Sequence, residues 1–393
     1  MVFRGKRLSE ITKQDLQRLI DDQVQERDTI EYKSAMYDHS DEDKREMLKD
    51  ITSMANHRGG YLIIGIEEDE EGIPIKLVGI KSGNHVERIT DSCLDNVDKR
   101  IISLEVEDVP LGSGGEVIMV AIPESMNAPH MITFKGLNQF WKRHGRQKER
   151  MTVDEIGEAF EKRLSNLNRL DRFLLSRKAE ILERIGDKTY MVISSSPAYL
   201  RDEVVFDLYD EELRQIILNP PAFRGTFGSI HCGQPYPTIR GLRADNRSPY
   251  LHDAAIVRDY LEVFRNGYIE YGNLIGRHGE DLYFASENDA AYIVNFVMFI
   301  EKICGIYLPM MPVVLNFAIY NARGMWLATR SGFVEDAKLV KWQGQHLELE
   351  RLYIENLAEE AKLLPKRVND RIWQAFHREK AIVFDDEGNL KLS

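Results

Sequence analysis

The chain has 393 residues, a length that predicts two domains, each able to bury a hydrophobic core of its own. Its 52 lysine and arginine residues against 64 aspartate and glutamate residues give a net charge of −12, and 43% of the residues are hydrophobic. This composition excludes a wholly basic nucleic-acid coat and a globally disordered chain, and confines any nucleic-acid site to a local basic patch.

Helices and strands alternate at the start of the chain. Apolar residues recur at helical spacing over residues 8–24, and residues 29–33 then alternate apolar and polar as a half-buried strand does. Ser40 and Asp43 form a capping box at the start of a second helix, which Gly59-Gly60 ends. These patterns predict a helix, a strand and a second helix before residue 61.

The segment after these glycines, residues 61–66, is apolar throughout. We therefore expect a strand that is covered on both faces and lies at the centre of a sheet. The other elements predicted in this part of the chain are a helix over 85–102, strands over 104–109, 116–122 and 139–142, and a hairpin loop at 112–115. Together they predict an α/β (α+β) domain with a mixed sheet.

A long helix rich in arginine and lysine is predicted from Thr152, capped with Glu155, to about Ile185. We interpret it as the connection between two domains. The predicted division is a first domain over 1–165, a helical connector over 166–188 and a second α+β domain over 189–393.

The second domain shows no catalytic motif and no sequence repeat. Its Pro- and Gly-rich stretch, residues 220–249, is predicted to loop over the surface. The predicted strands cover 190–194, 267–271, 313–320 and 325–329, and the predicted helices cover 251–265, 287–304, 348–363 and 367–376, the last two separated by Pro365. We expect this domain to sense a trigger or to mediate dimerisation.

The three cysteines, Cys93, Cys232 and Cys304, are far apart and form no CxxC pair. They predict buried free thiols rather than disulfides or a zinc site. The first residues lack the apolar run of a signal peptide, and the most apolar stretch, residues 291–320, is interrupted by polar residues and a proline. We therefore expect a cytoplasmic protein that does not span a membrane.

Glu31 and Lys33 lie two residues apart on a predicted strand, so their side chains share one face. Many metal-dependent nucleases use this acid-x-lysine arrangement. The carboxylate helps to hold Mg²⁺ or Mn²⁺ through oxygen, and the ammonium assists at the phosphate. In an acidic chain, however, the same triplet often arises by chance on a solvated strand, and the two interpretations stay open.

Two further acids are placed to join Glu31. Glu26 lies five residues upstream at a predicted helix end, and either Glu67 or Glu68 follows the buried strand. If the two strands are neighbours, the three carboxylates surround one cation. The alternative is that residues 67–71 form an ordinary charged turn.

Residues 135–150 carry about five more positive than negative charges, with aromatic residues between them. Such a patch is able to follow phosphates while its rings stack on bases. The alternative is a basic surface hairpin whose aromatic side chains pack inward. The residues of this segment that we expect to contact nucleic acid are Lys135, Trp141, Lys142, Arg143, Arg146 and Lys148.

Four segments in order, residues 26–33, 55–68, 140–145 and 151–156, resemble the Schlafen AlbA-like domain family, over about residues 15–165. The resemblance implies an α/β nucleic-acid-binding domain, which in Schlafen proteins is a metal-dependent endoribonuclease that acts on tRNA and rRNA through three acids.

By position, the resemblance places the three acids on Glu26, Glu31 and Glu68, with Glu67 adjacent; the third acid of the family is commonly Asp. It places Asn56, Gly59, Gly60 and Gly65 at a structural turn between a helix and a strand, where glycine permits a positive φ.

Other Schlafen features are missing from the sequence. The Schlafen cleaving core joins two such lobes, whereas one is visible here, and a homodimer would supply the second. The leading hypothesis is a bacterial Schlafen-like nuclease that cuts structured RNA such as tRNA, favoured over DNA, in anti-phage defence. The alternative is a DNA-binding transcriptional regulator whose C-terminal domain senses a ligand.

Overall fold

A computed structural model describes residues 3, 6–112, 115–125, 127–198, 200, 205–223, 229–230, 232–247, 257–275, 277–278, 281–307, 312–328 and 340–391. These residues form two compact units, one within residues 1–167 and the other within 168–308 and 313–393. The boundary between the units falls inside a single long helix, Val153–Ile185.

The first unit is a mixed α/β structure. Its helices are α1 (Lys13–Asp21), α2 (Asp41–Ala55), α3 (His85–Asn96) and the start of α4 (Val153–Ile185), and a short 3-10 turn (Leu8–Glu10) precedes α1. Its strands are β1 (Ile30–Lys33), β2 (Gly60–Ile64), β3 (Ile66–Glu68), β4 (Pro74–Leu77), β5 (Ile80–Lys81), β6 (Val97–Asp98), β7 (Glu105–Pro110), β8 (Gly115–Ile122), β9 (Met131–Ile132), β10 (Gln139–His144) and β11 (Gln147–Arg150).

A five-stranded mixed sheet forms the centre of this unit. Its order is β1-β2-β8-β5, with β7 also paired to β8. Strands β1 and β2 are parallel and joined by α2, whereas β8 is antiparallel to β2. Separate smaller sheets pair β3 with β4 and order β11-β10-β9-β6.

Strand β2 is covered on both faces, as its apolar sequence predicts. Leu62 and Ile64 pack in one core with apolar residues of α2 and α3, while Ile63 packs in a second core with α1 and Tyr32. Successive side chains of a strand point to opposite faces, so an unbroken apolar run requires two cores. The predicted mixed sheet of the N-terminal domain is confirmed.

Two predicted helices begin as expected, because their capping residues accept backbone hydrogen bonds. Ser40 Oγ accepts the amide of Asp43 at 3.1 Å at the start of α2, and the Thr152 amide donates to Glu155 Oε2 at 2.8 Å at the start of α4. The predicted helix over 8–24 is instead interrupted, because Thr12 caps α1 anew. Of the predicted loop at 112–115, Ser113 and Gly114 lie outside the described residues.

Gly60 begins β2 in a conformation that only glycine adopts readily. Its φ is +146°, and a Cβ at this position would lie 2.3 Å from the backbone oxygen of Thr29. Gly59 and Gly65 also have positive φ angles. The predicted structural role of these glycines is confirmed, because the chain passes too close to its neighbours for a side chain.

We expect Gly60→Ala to destabilise the first unit by about 3 kcal/mol or more, since both the φ angle and the backbone clash oppose the new methyl group. Gly145→Ala is the matched control, because Gly145 has a φ of +59° but open space around it. It should lower the stability of the first unit by about 1 to 2 kcal/mol, because only the left-handed conformation opposes the new methyl group. Urea denaturation of both variants measures the difference, and equal losses would contradict the clash.

The second unit is also α+β and is built on a large antiparallel sheet. Its helices are the rest of α4, α5 (Glu211–Leu218), α6 (Asn288–Tyr307), α7 (Leu357–Glu360) and α8 (Leu364–Ala375). Its strands are β12 (Tyr190–Pro197), β13 (Tyr236–Pro237), β14 (Gly241–Arg247), β15 (Val257–Phe264), β16 (Ile269–Leu274), β17 (Arg277–His278), β18 (Asp281–Ala285), β19 (Val313–Tyr320), β20 (Trp326–Ala328), β21 (Leu347–Glu348) and β22 (Leu352–Ile354).

The large sheet has the order β13-β14-β15-β16-β12-β19-β21, with β22 also paired to β19. Part of α4 packs on it through Ile181 and Ile185. Arg177 of α4 also reaches the buried carboxylates of Glu262 and Glu270 on the sheet, at 2.8 and 2.7 Å. This unit therefore combines an apolar core with a buried ionic network.

Three predictions for the second unit are wrong. The segment predicted as a helix over 251–265 contains the strand β15, and residues 251–256 lie outside the described part. The stretch 220–249, predicted to be a loop, contains β13 and β14. Residues predicted as a helix over 348–363 form short strands and the one-turn helix α7, and Pro365 lies inside the first turn of α8, where proline is tolerated.

Helix α6 is long and apolar enough to cross a membrane, but 72% of its most apolar stretch of 18 residues is buried inside the protein. It is therefore a core helix of the second unit, in agreement with the expectation that the chain does not span a membrane. The three cysteines are free and buried, as predicted. Placement in the cytoplasm stays a prediction.

Candidate functional site

Three acidic side chains from distant segments meet in the first unit. Glu26 lies in the turn before β1, and its amide donates to the carbonyl of Gly72 at 2.8 Å, which holds this turn beside the loop between β3 and β4. Glu31 lies on β1, and Glu68 ends β3. Because β1 and β2 are parallel and β3 continues from β2, the chain brings Glu68 to the edge of the sheet where β1 ends.

Two arginines and a lysine neutralise these acids. Arg143 on β10 is fully buried, and its Nη2 donates to Glu26 Oε1 at 2.9 Å and forms an ion pair with Glu31 Oε2. Arg146 Nε donates to Glu26 Oε2 at 2.8 Å, and Lys33 Nζ donates to Glu31 Oε1 at 2.5 Å. We call Glu26, Glu31, Glu68, Lys33, Arg143 and Arg146 the acid cluster.

Glu26 and Glu31 differ in protonation because their surroundings differ. Burial, together with the hydrogen bond to Glu31 and its negative charge, raises the pKa of Glu26 to about 7. Burial acts in the same direction on Glu31, but a hydrogen bond with Glu26 and the charges of Arg143 and Lys33 outweigh it and lower the pKa to about 2. Below about pH 7 the two acids therefore share one proton, and Glu26 is the acid that holds it more strongly.

The carboxylate oxygens of the acid cluster are the kind of ligand that a hard divalent cation prefers. Glu68 Oε2 is buried and accepts no hydrogen bond from an N–H or hydroxyl donor in the described part of the chain, while Glu31 Oε2 is paired with the guanidinium of Arg143. Buried carboxylate oxygens need a proton or a cation as partner, and Mg²⁺ and Mn²⁺ prefer oxygen ligands. Burial raises the pKa of Glu68 as well, which also favours a proton in the absence of a cation.

The acids do not, however, form a finished set of metal ligands. Within the described residues, no three histidine, cysteine, aspartate or glutamate side chains have the geometry to hold a metal ion. The guanidinium of Arg143 lies between Glu26 and Glu31 and supplies positive charge there. A cation entering the cluster therefore competes with a proton and with arginine side chains.

Glu67, the alternative third acid, is not part of the cluster. It is exposed and faces Lys76 across the β3–β4 pair, whereas Glu68 is half-buried. Neighbouring residues of a strand point to opposite faces, so only one of the two is able to reach Glu26. Of the two acids that the sequence left as alternatives for the third position, Glu68 is the one that lies in the cluster.

The basic segment forms the hairpin β10–β11, and it directs part of its charge inward. Arg143 and Lys148, expected to contact nucleic acid, face each other across the hairpin. Arg143 is buried against Glu26 and Glu31, and Lys148 pairs with Glu46 and Asp50. Both side chains pair with acids inside the first unit. This position does not fit the predicted contact with nucleic acid at the surface.

The other expected contacts divide between surface and core. Lys135 is exposed and pairs with Asp41, Lys142 lies 3.9 Å from Glu155, and Arg146 is partly exposed. Trp141 packs against the core, and the ammonium of Lys49 lies 4.7 Å from its ring centre. Lys135, Lys142 and Arg146 thus remain available at the surface, while Trp141 packs inward as in the alternative interpretation.

Asp50 is a neighbour of the acid cluster that the sequence interpretation missed. This fully buried acid on α2 accepts a hydrogen bond from Tyr37 at 2.5 Å and pairs with Lys148. Burial lowers the pKa of Lys33, but Asp50 and Glu31 outweigh burial and raise it. The available signal was an acid three residues after Met47 and four before Met54, on the apolar face of the helix.

Residues 26–152 match the sequence family described as "Schlafen, AlbA_2". The match begins at Glu26 of the acid cluster and ends just before α4, and it confirms the resemblance inferred from the sequence. The match indicates a function related to nucleic acids for this part of the chain. None of the curated proteins matches the chain.

Two solved structures resemble parts of the chain. One is a crystal structure of a protein from Corynebacterium diphtheriae, with 18% identity and a TM-score of 0.25; the match covers 34% of this chain and 23% of that one. The other is the solution structure of the N-terminal domain of a protein from Nitrosomonas europaea related to the ATP-dependent DNA helicase RecG, with 20% identity and a TM-score of 0.26; the match covers 35% of this chain and 92% of that domain. The chain thus spans less than a quarter of the first of these structures.

Proposed function

Because residues 26–152 form a Schlafen AlbA_2 domain, we propose that the protein is a cytoplasmic, metal-dependent endoribonuclease that cuts structured RNA such as tRNA, in defence against phage. The observation that carries the proposal is the meeting of the carboxylates of Glu26, Glu31 and Glu68, with Glu68 Oε2 buried and without an N–H or hydroxyl donor among the described residues. Carboxylates packed this closely need a proton or a cation as counterpart, and a nuclease makes use of the cation.

In this proposal Glu26, Glu31 and Glu68 hold Mg²⁺ or Mn²⁺. When bound, the cation lowers the pKa of a water molecule and stabilises the charge that develops on the phosphate. Lys33 stays protonated, because the carboxylates around it raise its pKa, and it stabilises negative charge at the phosphate. Lys135, Lys142 and Arg146 position the RNA backbone from the surface of the same unit.

The test is incubation of the purified full chain with total tRNA, with Mn²⁺ or with a chelator. We expect discrete RNA fragments with Mn²⁺ and intact tRNA with the chelator. A DNA duplex of similar length, treated in the same way, should stay uncut, since the proposal favours RNA. Tight, salt-sensitive binding to duplex DNA without cleavage of either substrate would contradict the nuclease and support a DNA-binding regulator.

Cation binding should strengthen as the pH rises. The pKa of Glu26 is raised to about 7, so below this pH a cation must displace a proton from the cluster. We therefore expect the affinity for Mn²⁺ to rise by up to about tenfold per pH unit below pH 7 and to level off above it. Calorimetric titration at pH 6, 7 and 8 measures this.

Glu26→Gln is the control for the pH dependence. Its amide does not titrate, so Mn²⁺ binding by this variant should be weaker and should depend less on pH than that of the wild type over the same range. A wild-type affinity that is constant from pH 6 to pH 8 would contradict a protonated Glu26. It would leave open cleavage by an already ionised cluster, which the tRNA experiment tests separately.

A further inference from the structure

Arg146 lies at the tip of the hairpin β10–β11, next to Gly145 in the turn between the two strands. From there its side chain reaches back to the acid cluster. Its Nε donates to Glu26 Oε2 at 2.8 Å, and its Nη1 donates to the carbonyl oxygen of Glu70 at 3.2 Å. The side chain of Arg146 is nevertheless 40% exposed. It therefore contacts a buried acid and the surrounding solution at the same time.

Gly72, in the loop between β3 and β4, makes room for the guanidinium of Arg146. A Cβ at this position would lie 2.8 Å from Arg146 Cζ, so a side chain there would push the arginine off the loop. The carbonyl of Gly72 also accepts the amide of Glu26 at 2.8 Å. The loop thus positions both partners of the ion pair between Glu26 and Arg146.

The two carboxylate oxygens of Glu26 bind different arginines. Arg143 Nη2 donates to Oε1 at 2.9 Å, whereas Arg146 Nε donates to Oε2 at 2.8 Å. Arg143 is fully buried and also pairs with Glu31, which holds it inside the unit. Arg146 is able to leave at low cost, because water replaces the hydrogen bonds of an exposed side chain. Oε2 is therefore the oxygen of Glu26 that is able to exchange an arginine for a cation.

A phosphate group is the partner that attracts such an arginine. The carboxylate of Glu26 accepts a hydrogen bond from Arg146 through Nε. A phosphate binds a guanidinium through two parallel N–H···O bonds, a geometry that favours arginine at phosphate sites. The exposed part of Arg146 lies where a phosphate is able to approach from solution.

Building on the proposed function, we propose that Arg146 couples substrate binding to cation binding. In the free protein it occupies Glu26 Oε2, and in the complex it binds a phosphate of the RNA instead. The negative charge that it leaves behind is then available to Mg²⁺ or Mn²⁺. Coupling between two ligands is reciprocal, so the cation strengthens RNA binding by the factor by which RNA strengthens cation binding. The free protein therefore has a low affinity for the cation.

The first test measures Mn²⁺ binding to the full chain without RNA, by calorimetric titration at pH 8. We expect Arg146→Gln to bind Mn²⁺ about three- to tenfold more tightly than the wild type, because a competing positive charge is gone. Lys76→Gln is the matched control, since exposed Lys76 on β4 faces Glu67, outside the acid cluster. It removes the same charge and should change the affinity by less than about twofold.

The second test measures RNA binding with and without Mn²⁺. The probe is a fluorescent 2′-O-methyl RNA hairpin, followed by anisotropy, and a denaturing gel verifies that it stays intact. We expect Mn²⁺ to raise the affinity of the wild type for this RNA by about fivefold or more. The increase should be at least about threefold smaller in Arg146→Gln, whereas Lys76→Gln should keep the increase of the wild type.

The outcomes separate the role of Arg146 from the proposed function. If folded Arg146→Gln binds Mn²⁺ no more tightly than the wild type, or shows the same increase in RNA affinity, the proposal for Arg146 is overturned and the nuclease still stands. If the wild type binds no Mn²⁺, with or without RNA, both proposals are overturned. Circular dichroism verifies that each variant is folded.

Discussion

Glu31→Gln is expected to reduce Mn²⁺-dependent cleavage of tRNA by at least about 100-fold. Glutamine keeps the size of the side chain but removes the negative charge. Glu31 is only 4% exposed, and its lowered pKa keeps it ionised at any working pH, so no other group supplies this charge. Initial rates on a single tRNA, measured with saturating Mn²⁺, give the ratio between variant and wild type.

The matched control is Glu67→Gln, because Glu67 is the neighbour of Glu68 but is exposed and outside the acid cluster. Its cleavage rate should stay within about twofold of the wild type, as for a surface substitution away from the site. The cleavage rate of Glu68→Gln should fall as that of Glu31→Gln does. Equal activity of Glu31→Gln and the wild type would remove the proposed catalytic mechanism, whereas a loss in Glu67→Gln would shift the site to the other face of β3.

Arg143→Met is expected to destabilise the first unit by about 3 to 5 kcal/mol, the range for a broken buried ion pair. The substitution leaves Glu26 and Glu31 buried without the guanidinium that pairs with both. For a unit of this size, a loss of this order lowers the melting temperature by about 10 °C. Thermal denaturation followed by circular dichroism measures the change at pH 8, where Glu26 has lost its proton.

Mn²⁺ should stabilise Arg143→Met more than the wild type, because a cation replaces the missing positive charge among the acids. Lys142→Met is the control, since Lys142 lies next to Arg143 in sequence but makes only a 3.9 Å ion pair at the surface. It should change stability by less than about 1 kcal/mol. If both variants melt like the wild type, Arg143 does not balance the charge of the cluster.

Patterns that depend on neighbouring residues predicted much of the fold. The capping pairs at Ser40 and Thr152 and the apolar segment of β2 identified two helices and the central strand, because caps and hydrophobic periodicity are local signals. Residues 257–264 were predicted as a helix but form β15 between two other strands. Pairing with distant strands decided that structure, and a local pattern does not record it.

The candidate site shows the same division. Glu31 and Lys33 were identified from spacing on one strand, but the selection of Glu68 over Glu67 required the strand's orientation. Arg143 and Lys148 were placed at the surface because basic residues in a hairpin usually face water. Their buried acidic partners lie 98 or more residues away in the chain. Only the folded structure shows that Arg143 and Lys148 pair with these acids.

The separation of 117 residues between Glu26 and Arg143 affects how the protein is made. A chain leaving the ribosome has its three acids outside long before the hairpin β10–β11 emerges. Until then the acids lack their arginines, and burying them is costly. The N-terminal unit should therefore complete its folding only after residue 150 has emerged, and truncation before Arg143 should yield a chain that proteases degrade quickly.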